Sequence, residues 1–214
     1  MAYLLGFSEF YGQRFFINDD VLIPRPETEL LVDMIVNECK GNIKRVLDVG
    51  TGSGVIILSL LGSGVGESGV GVDLSHAALK VAQINADRLR LHHKIEFKLS
   101  DRLEKVEGKF DLIVSNPPYI KKSTQKKLVH KNVDSFEPHI ALYLDDEAYS
   151  DWFKLFFSQV AKHLEGTFFM EGHEDELISL LPLLENLGFE NFVILNDLTG
   201  RSRFLKANFK EKEK

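Results

Sequence analysis

Two consecutive prolines, Pro117 and Pro118, constrain the fold of this chain more than any other feature. They follow Phe110-Asp111-Leu112-Ile113-Val114-Ser115, a short apolar run that reads as a buried strand. Neither proline has an N–H to give to a sheet ladder, so the strand stops at Asn116. The Asn116 side chain is thereby held at the C-terminal edge of the sheet, where open α/β sheets bind ligands. A residue before proline is pushed toward extended geometry, which restricts both Asn116 and Pro117. The turn Asn116-Pro117-Pro118-Tyr119 offers an amide oxygen, backbone carbonyls and one aromatic face. That set suits a flat, nitrogen-bearing group: the oxygens accept its N–H bonds and Tyr119 covers its face. In isolation, a strand-ending turn with a buried tyrosine reads the same way.

A second anchor lies upstream, at Arg45-Val46-Leu47-Asp48-Val49-Gly50-Thr51-Gly52-Ser53-Gly54. A buried strand runs into a glycine-rich turn, and Val55–Leu61 continues as a helix. Glycine permits positive φ and close backbone approach to a ligand, and the turn sits where a helix N-terminus leaves N–H groups free. Val55 occupies the place of the last glycine of a dinucleotide fingerprint, and no Gly-Lys-Ser/Thr follows, which excludes a phosphate P-loop. About twenty residues on, Gly69-Val70-Gly71-Val72-Asp73 is a strand ending in a carboxylate, the place from which an acid can bind both hydroxyls of a ribose. Capping the next helix is the other reading of Asp73. Ile95–Leu99 forms a third strand, and Asp101 just beyond it could accept from an exocyclic amine. The run Gly62–Gly66 follows a helix rather than a strand and reads as a cap and loop.

The remaining segments complete an alternating α/β pattern. Residues 1–25 are expected to form an aromatic-rich hairpin and linker packed on the domain. In Leu22-Ile23-Pro24-Arg25-Pro26-Glu27-Thr28-Glu29, Pro26 suits a first helical turn, and the helix is expected to run to about Cys39. Arg25 and Glu29 read either as helix-start chemistry or as a lid over the site. Ser75–Leu91 and Glu147–Leu164 are helical, the latter with Trp152, Phe153, Phe156, Phe157 and Val160 as a core stripe. Gly166–Glu171 is a fifth strand, Asp175–Leu187 a helix, and Phe189–Leu195 with Ser202–Ala207 a final antiparallel pair. Lys121, Lys122, Lys126 and Lys127 fall in a polar loop, either solvated or facing a macromolecular substrate. The domain is expected over 26–209, with 210–214 a frayed tail.

Composition narrows the function classes. A net charge of −6 does not favour a protein that grips duplex nucleic acid through phosphates. No apolar run approaches the ~20 residues needed to span a bilayer. The single cysteine, Cys39, precludes an internal disulfide framework and fits a reducing cytoplasm. The seven histidines are scattered, with no HExxH pattern, so no metal site is expected.

The ligand features all fall at strand C-termini, and this plan resembles the Rossmann-like class I S-adenosylmethionine-dependent methyltransferases. The expected fold is therefore a mostly parallel seven-stranded sheet with an antiparallel final strand. Five motifs occur in one order: Leu22-Ile-Pro-Arg-Pro-Glu-Thr-Glu29, Asp48-Val-Gly-Thr-Gly-Ser-Gly54, Ser115-Asn-Pro-Pro-Tyr-Ile120, Phe136-Glu-Pro138 and Asp197-Leu-Thr-Gly200. Together they closely resemble the HemK/PrmC family, which methylates the side-chain amide of the glutamine in the Gly-Gly-Gln motif of peptide chain release factors. The resemblance covers about residues 7–207. It implies a cofactor site of Asp48, Gly50, Thr51, Gly52, Ser53, Gly54, Asp73, Leu74, Asp101, Arg102 and Asn116, taking S-adenosylmethionine and releasing S-adenosylhomocysteine. It also implies a catalytic turn of Asn116, Pro117, Pro118 and Tyr119, with Arg25 and Glu29 beside the substrate.

Two departures stand out. Family members usually carry a helical N-terminal domain, whereas this sequence is expected to start almost at the catalytic domain, as either a truncated chain or one that recognises its partner differently. Arg102 stands where an aromatic side chain commonly covers the adenine, although a guanidinium can stack similarly. The expected partner is a release factor, met by a cytoplasmic monomer, with no membrane and no nucleic acid. Alternatives are a nucleic-acid methyltransferase acting on adenine N6 or guanine N2, a ribosomal-protein glutamine methyltransferase, and a non-catalytic binding module.

Overall fold

A one-turn helix, α1 (Ala2–Leu5), leads into a hairpin of β1 (Phe7–Phe10) and β2 (Gln13–Phe16) in this computed structural model, which describes residues 2–39, 41 and 43–209. Its two-residue turn is Tyr11-Gly12, both at positive φ (48° and 70°), the geometry that matches strand twist. Phe10 and Phe15 are buried and hold the hairpin to the body. The sequence carries no signal for α1, which is too short to show a helical period.

Next come α2 (Pro26–Cys39), β3 (Arg45–Val49), α3 (Val55–Gly62), β4 (Ser68–Asp73), α4 (His76–Arg88), β5 (Ile95–Leu99) and β6 (Phe110–Ser115). Helix α3 is buried on every side from Val55 to Leu61, as a helix without a polar face must be. Ser75 caps α4 by accepting from the Ala78 N–H. Downstream lie β7 (Ile120–Lys121), α5 (Lys131–Phe136), β8 (Tyr143–Leu144), α6 (Tyr149–His163), β9 (Leu164–Glu171), α7 (Leu177–Asn186), β10 (Phe189–Asn196) and β11 (Ser202–Phe209).

Seven strands form the central sheet in the order β10-β11-β9-β6-β3-β4-β5. The pairs β9–β6, β6–β3, β3–β4 and β4–β5 are parallel. The last strand, β11, inserts between β9 and β10 and is antiparallel to both. The expected fold is thus observed. Chain direction across the sheet reverses between β3 and β6, which places a crevice at their C-terminal ends.

Two cores flank the sheet. On one face, Phe153, Phe156, Phe157 and Val160 of α6 are wholly buried against Phe168 and Phe189. Each such side chain contributes roughly 1.5–3 kcal/mol of burial. On the other face α2 and α3 pack over Val46, Leu112, Val114 and Phe204. The exposed edge strand β5 carries a Lys98–Glu96 pair, a polar edge that discourages further strand addition.

The stretch after Tyr119, expected as a polar loop, is a folded flap. Strands β7 and β8 pair in parallel, with α5 between them. Glu137 anchors it: Oε1 accepts from Arg25 Nη2 at 2.8 Å and Oε2 from the Ile23 N–H at 3.0 Å. Lys121 pairs with Glu176, Lys122 with Asp145 and Lys126 with Asp134, so three of the four lysines of the cluster are held in ion pairs. The expected tail at 210–214 lies outside the described residues.

Candidate active site

The Gly50–Gly54 turn leaves β3 with Gly50, Gly52 and Gly54 all at positive φ. Gly50 and Thr51 donate to the Val72 carbonyl, and Gly52 donates to Asp73 Oδ2 at 2.9 Å. A Cβ on Gly54 would lie 3.0 Å from Leu58 and 3.3 Å from Ala82, so Gly54 is needed for helix packing. A Cβ on Gly52 would meet nothing within 4 Å, which leaves room there for a ligand. Asn85 ties the turn to the hairpin: its Nδ2 donates to the carbonyls of Ser53 and Phe16, and its Oδ1 accepts from the Phe16 N–H.

Asp48 lies beneath this turn, wholly buried. Its Oδ2 accepts from the Thr51 hydroxyl at 2.7 Å, while Oδ1 has no hydrogen-bond partner. Burial pushes its carboxyl up to about 7, against the Thr51 hydrogen bond. Asp73, raised chiefly by burial, spends one lone pair of each oxygen on the backbone, at Gly52 and Ser75. Each oxygen keeps a second acceptor site, so both readings of this residue, ligand acceptor and helix cap, are compatible.

A cavity of about 330 Å³ opens at the crevice between β3 and β6. Gly50, Thr51, Gly52, Ser53, Asp73, Leu74, Asp101, Arg102 and Asn116 line it, together with Arg25, Pro117 and Pro118. Asp48 and Gly54 do not; they support the turn from behind. Arg102 sits at φ 48°, pairs with Asp101 at 2.9 Å and lies 5.4 Å over the Trp152 ring. Trp152 also lines the cavity, so it is more than a member of the helix's core stripe.

A second cavity, of about 300 Å³, lies on the other side of the proline turn. Asn116 and Pro117 belong to both cavities; Tyr119, His173 and Arg203 line only the second. Arg25 lines both, with its guanidinium held by Glu137. Glu29 lines neither. Successive helical residues are about 100° apart, so α2 turns Thr28 inward and Glu29 away.

Two buried residues here, Glu171 and Thr28, are not marked as site residues by the sequence, although Thr28 lies within the Leu22–Glu29 motif. Glu171, 1% exposed at the end of β9, accepts from Thr28 Oγ1 at 2.7 Å and from the Tyr119 hydroxyl at 3.1 Å. Burial raises its carboxyl, against the hydroxyls and the nearby Arg203 guanidinium. Thr28 in turn accepts from Asn116 Nδ2 at 3.3 Å. Burial and the Glu171 charge push the Tyr119 phenol well above its ordinary value, so the ring stays neutral.

The first cavity fits S-adenosylmethionine by donor chemistry and size. Its volume suits a nucleoside-sized ligand. Carboxylates of Asp73 and Asp101 face it, and its basic side chains, Arg25 and Arg102, are each paired with an acid. Such a wall suits hydroxyls and a cation better than a phosphate. Among the described residues no cluster of three or more His, Cys, Asp or Glu could hold a metal, and no helix is long and apolar enough to cross a membrane.

Comparisons with known proteins agree with this architecture. Residues 26–139 match the family model described as Methyltransferase small domain. A ribosomal protein L11 methylase from Lactobacillus delbrueckii subsp. bulgaricus superposes with a TM-score of 0.65 at 21% identity, over 89% of this chain and 82% of that one, which speaks to the fold alone. The release factor glutamine methyltransferase of Flavobacterium psychrophilum is 36% identical over 98% of this chain and 75% of its own length. That of Koribacter versatilis is 38% identical over 94% and 71%. At that identity over nearly the whole chain, with a methyltransferase fold beneath it, the chain belongs to the release factor glutamine methyltransferase family.

Proposed function

We propose that this protein methylates the side-chain amide of a glutamine in a peptide chain release factor, taking the methyl group from S-adenosylmethionine in the first cavity. One observation carries the reading: the two cavities meet at Asn116 and Pro117. A methyl donor on one side and an amide on the other would then face each other across that turn. The family relationship supplies the substrate class.

S-adenosylmethionine, when bound, supplies a sulfonium methyl: one N–C bond forms as one C–S bond breaks, S-adenosylhomocysteine leaves, and the nitrogen sheds one proton. An amide nitrogen is a weak nucleophile because its lone pair is delocalised. The protein's task is to hold its two hydrogens and to stabilise positive charge as it grows there. Asn116 Oδ1 and the Pro117 carbonyl are suited to this, since neither accepts a hydrogen bond from the described residues. Tyr119 forms an uncharged wall beside them. Asp73 would hold the ribose and Asp101 the adenine amine, with Arg102 and Trp152 enclosing that end. Proline rigidity keeps the acceptors in place and so lowers the cost of alignment. Two carboxylates bonded to residues of this site are committed, Glu171 to the Thr28 and Tyr119 hydroxyls and Glu137 to Arg25, so the proton passes to water after transfer. We further propose that residues 26–209 act as one catalytic unit, as a cytoplasmic monomer.

Methyl transfer from labelled S-adenosylmethionine tests this. Release factor, its Gln→Ala variant in Gly-Gly-Gln, and total RNA are offered side by side. Label on release factor that vanishes with the glutamine is expected. Label on RNA alone, or equal label on the variant, overturns the proposal.

A further inference from the structure

We propose that Thr28 and Glu171 are positioning residues that fix which end of the Asn116 amide faces the substrate. This rests on the reading of Asn116 as the group that holds the glutamine amide. An asparagine side chain presents an acceptor at one end and two donors at the other. The reaction described above needs the acceptor. Turned by 180°, Asn116 would set N–H groups against the N–H groups of the incoming amide.

The orientation follows from counting protons along a buried chain of groups. An ionised carboxylate has acceptors only, so both hydroxyls that reach Glu171 must donate to it. Tyr119 donates to Oε1 and Thr28 to Oε2. Thr28 has one hydroxyl proton, spent on Glu171. Toward Asn116 its oxygen can then only accept. Asn116 therefore turns Nδ2 to Thr28, at 3.3 Å, and leaves Oδ1 as the free end. Burial raises the Glu171 carboxyl; the two hydroxyl hydrogen bonds and the Arg203 guanidinium act against it and favour the charged carboxylate that this order of donors requires. Thr28 and Glu171 are 3% and 1% exposed, which keeps water from offering a competing donor.

Glu171 lines neither cavity and Thr28 lines only the first, so neither reaches the amide side of the turn. Their effect on turnover passes through Asn116, and a double-mutant cycle reads that dependence. Thr28→Val keeps the side-chain shape and removes the hydroxyl. It is expected to lower kcat about tenfold, the scale of one hydrogen bond. Thr28→Ser, which restores the hydroxyl, recovers most of kcat. In an Asn116→Ala background, single-turnover rates are expected to show no further loss from Thr28→Val. Thr28→Ala gives the same cycle if valine perturbs folding. A Thr28→Val loss of equal size with and without Asn116, or no loss at all, overturns the positioning role. If Asn116→Ala itself keeps the wild-type rate, the underlying reading of Asn116 fails instead, and the two failures are distinguishable.

Discussion

Replacing Asn116 by alanine is expected to lower kcat for glutamine methylation by about 10²–10³-fold, the range for removing one preorganised charge-stabilising group. The loss should fall on kcat more than on cofactor affinity. Asn116 is one of many residues around the first cavity, whereas on the amide side its Oδ1 is an acceptor that no described residue occupies. An interaction strongest in the transition state lowers kcat and kcat/KM together. Asn116→Asp is instructive beside it. It keeps an oxygen but loses the Nδ2 that Thr28 accepts from, so it should also be slow. Steady-state kinetics together with S-adenosylhomocysteine calorimetry check this. A wild-type kcat for Asn116→Ala would remove the basis for the mechanism.

Replacing Gly166 by alanine is expected to destabilise the fold by about 3–5 kcal/mol, far above a typical substitution. A Cβ at Gly166 would stand 2.1 Å from the Asp111 carbonyl oxygen, a backbone atom that cannot swing aside. The close approach sits at an irregularity of the β9–β6 pairing, between Phe110 and Leu112. Asp111 is itself fixed, because its Oδ2 accepts from the Lys44 and Arg45 N–H groups. The clash must therefore be relieved by parting two central strands. Urea unfolding measures the effect, and a change under about 1 kcal/mol would show that the strands yield more easily than this packing implies.

Much of this fold is legible in the sequence because its strands are short apolar runs bounded by glycine, proline or a charged turn. Ile95–Leu99 and Phe110–Ser115 are found where those patterns place them. The antiparallel final pair follows from the short connection between Phe189–Asn196 and Ser202–Phe209. The flap is not legible. Two-residue strands and a six-residue helix have no period to detect, and the flap is held by contacts such as Ile23 to Glu137, 114 positions apart.

The same limit governs the site. Strand-end residues could be read from the chain because topology alone brings Gly50, Asp73, Asp101 and Asn116 to one edge. Thr28 and Glu171 could not, since 143 positions separate them and each looks ordinary in its own segment. The Glu29 expectation shows how narrow the margin is, for its neighbour Thr28 holds the inward face. Trp152 reads as core from its stripe, yet it stands where the stripe meets the cavity.

The most direct test is a crystal structure with S-adenosylhomocysteine and a peptide carrying Gly-Gly-Gln. The account predicts the homocysteine sulfur in the first cavity, the glutamine side chain in the second, and its amide nitrogen about 3 Å from Asn116 Oδ1. A glutamine bound away from Asn116 and Pro117, or an Asn116 amide that offers the ligand Nδ2 instead of Oδ1, would contradict it.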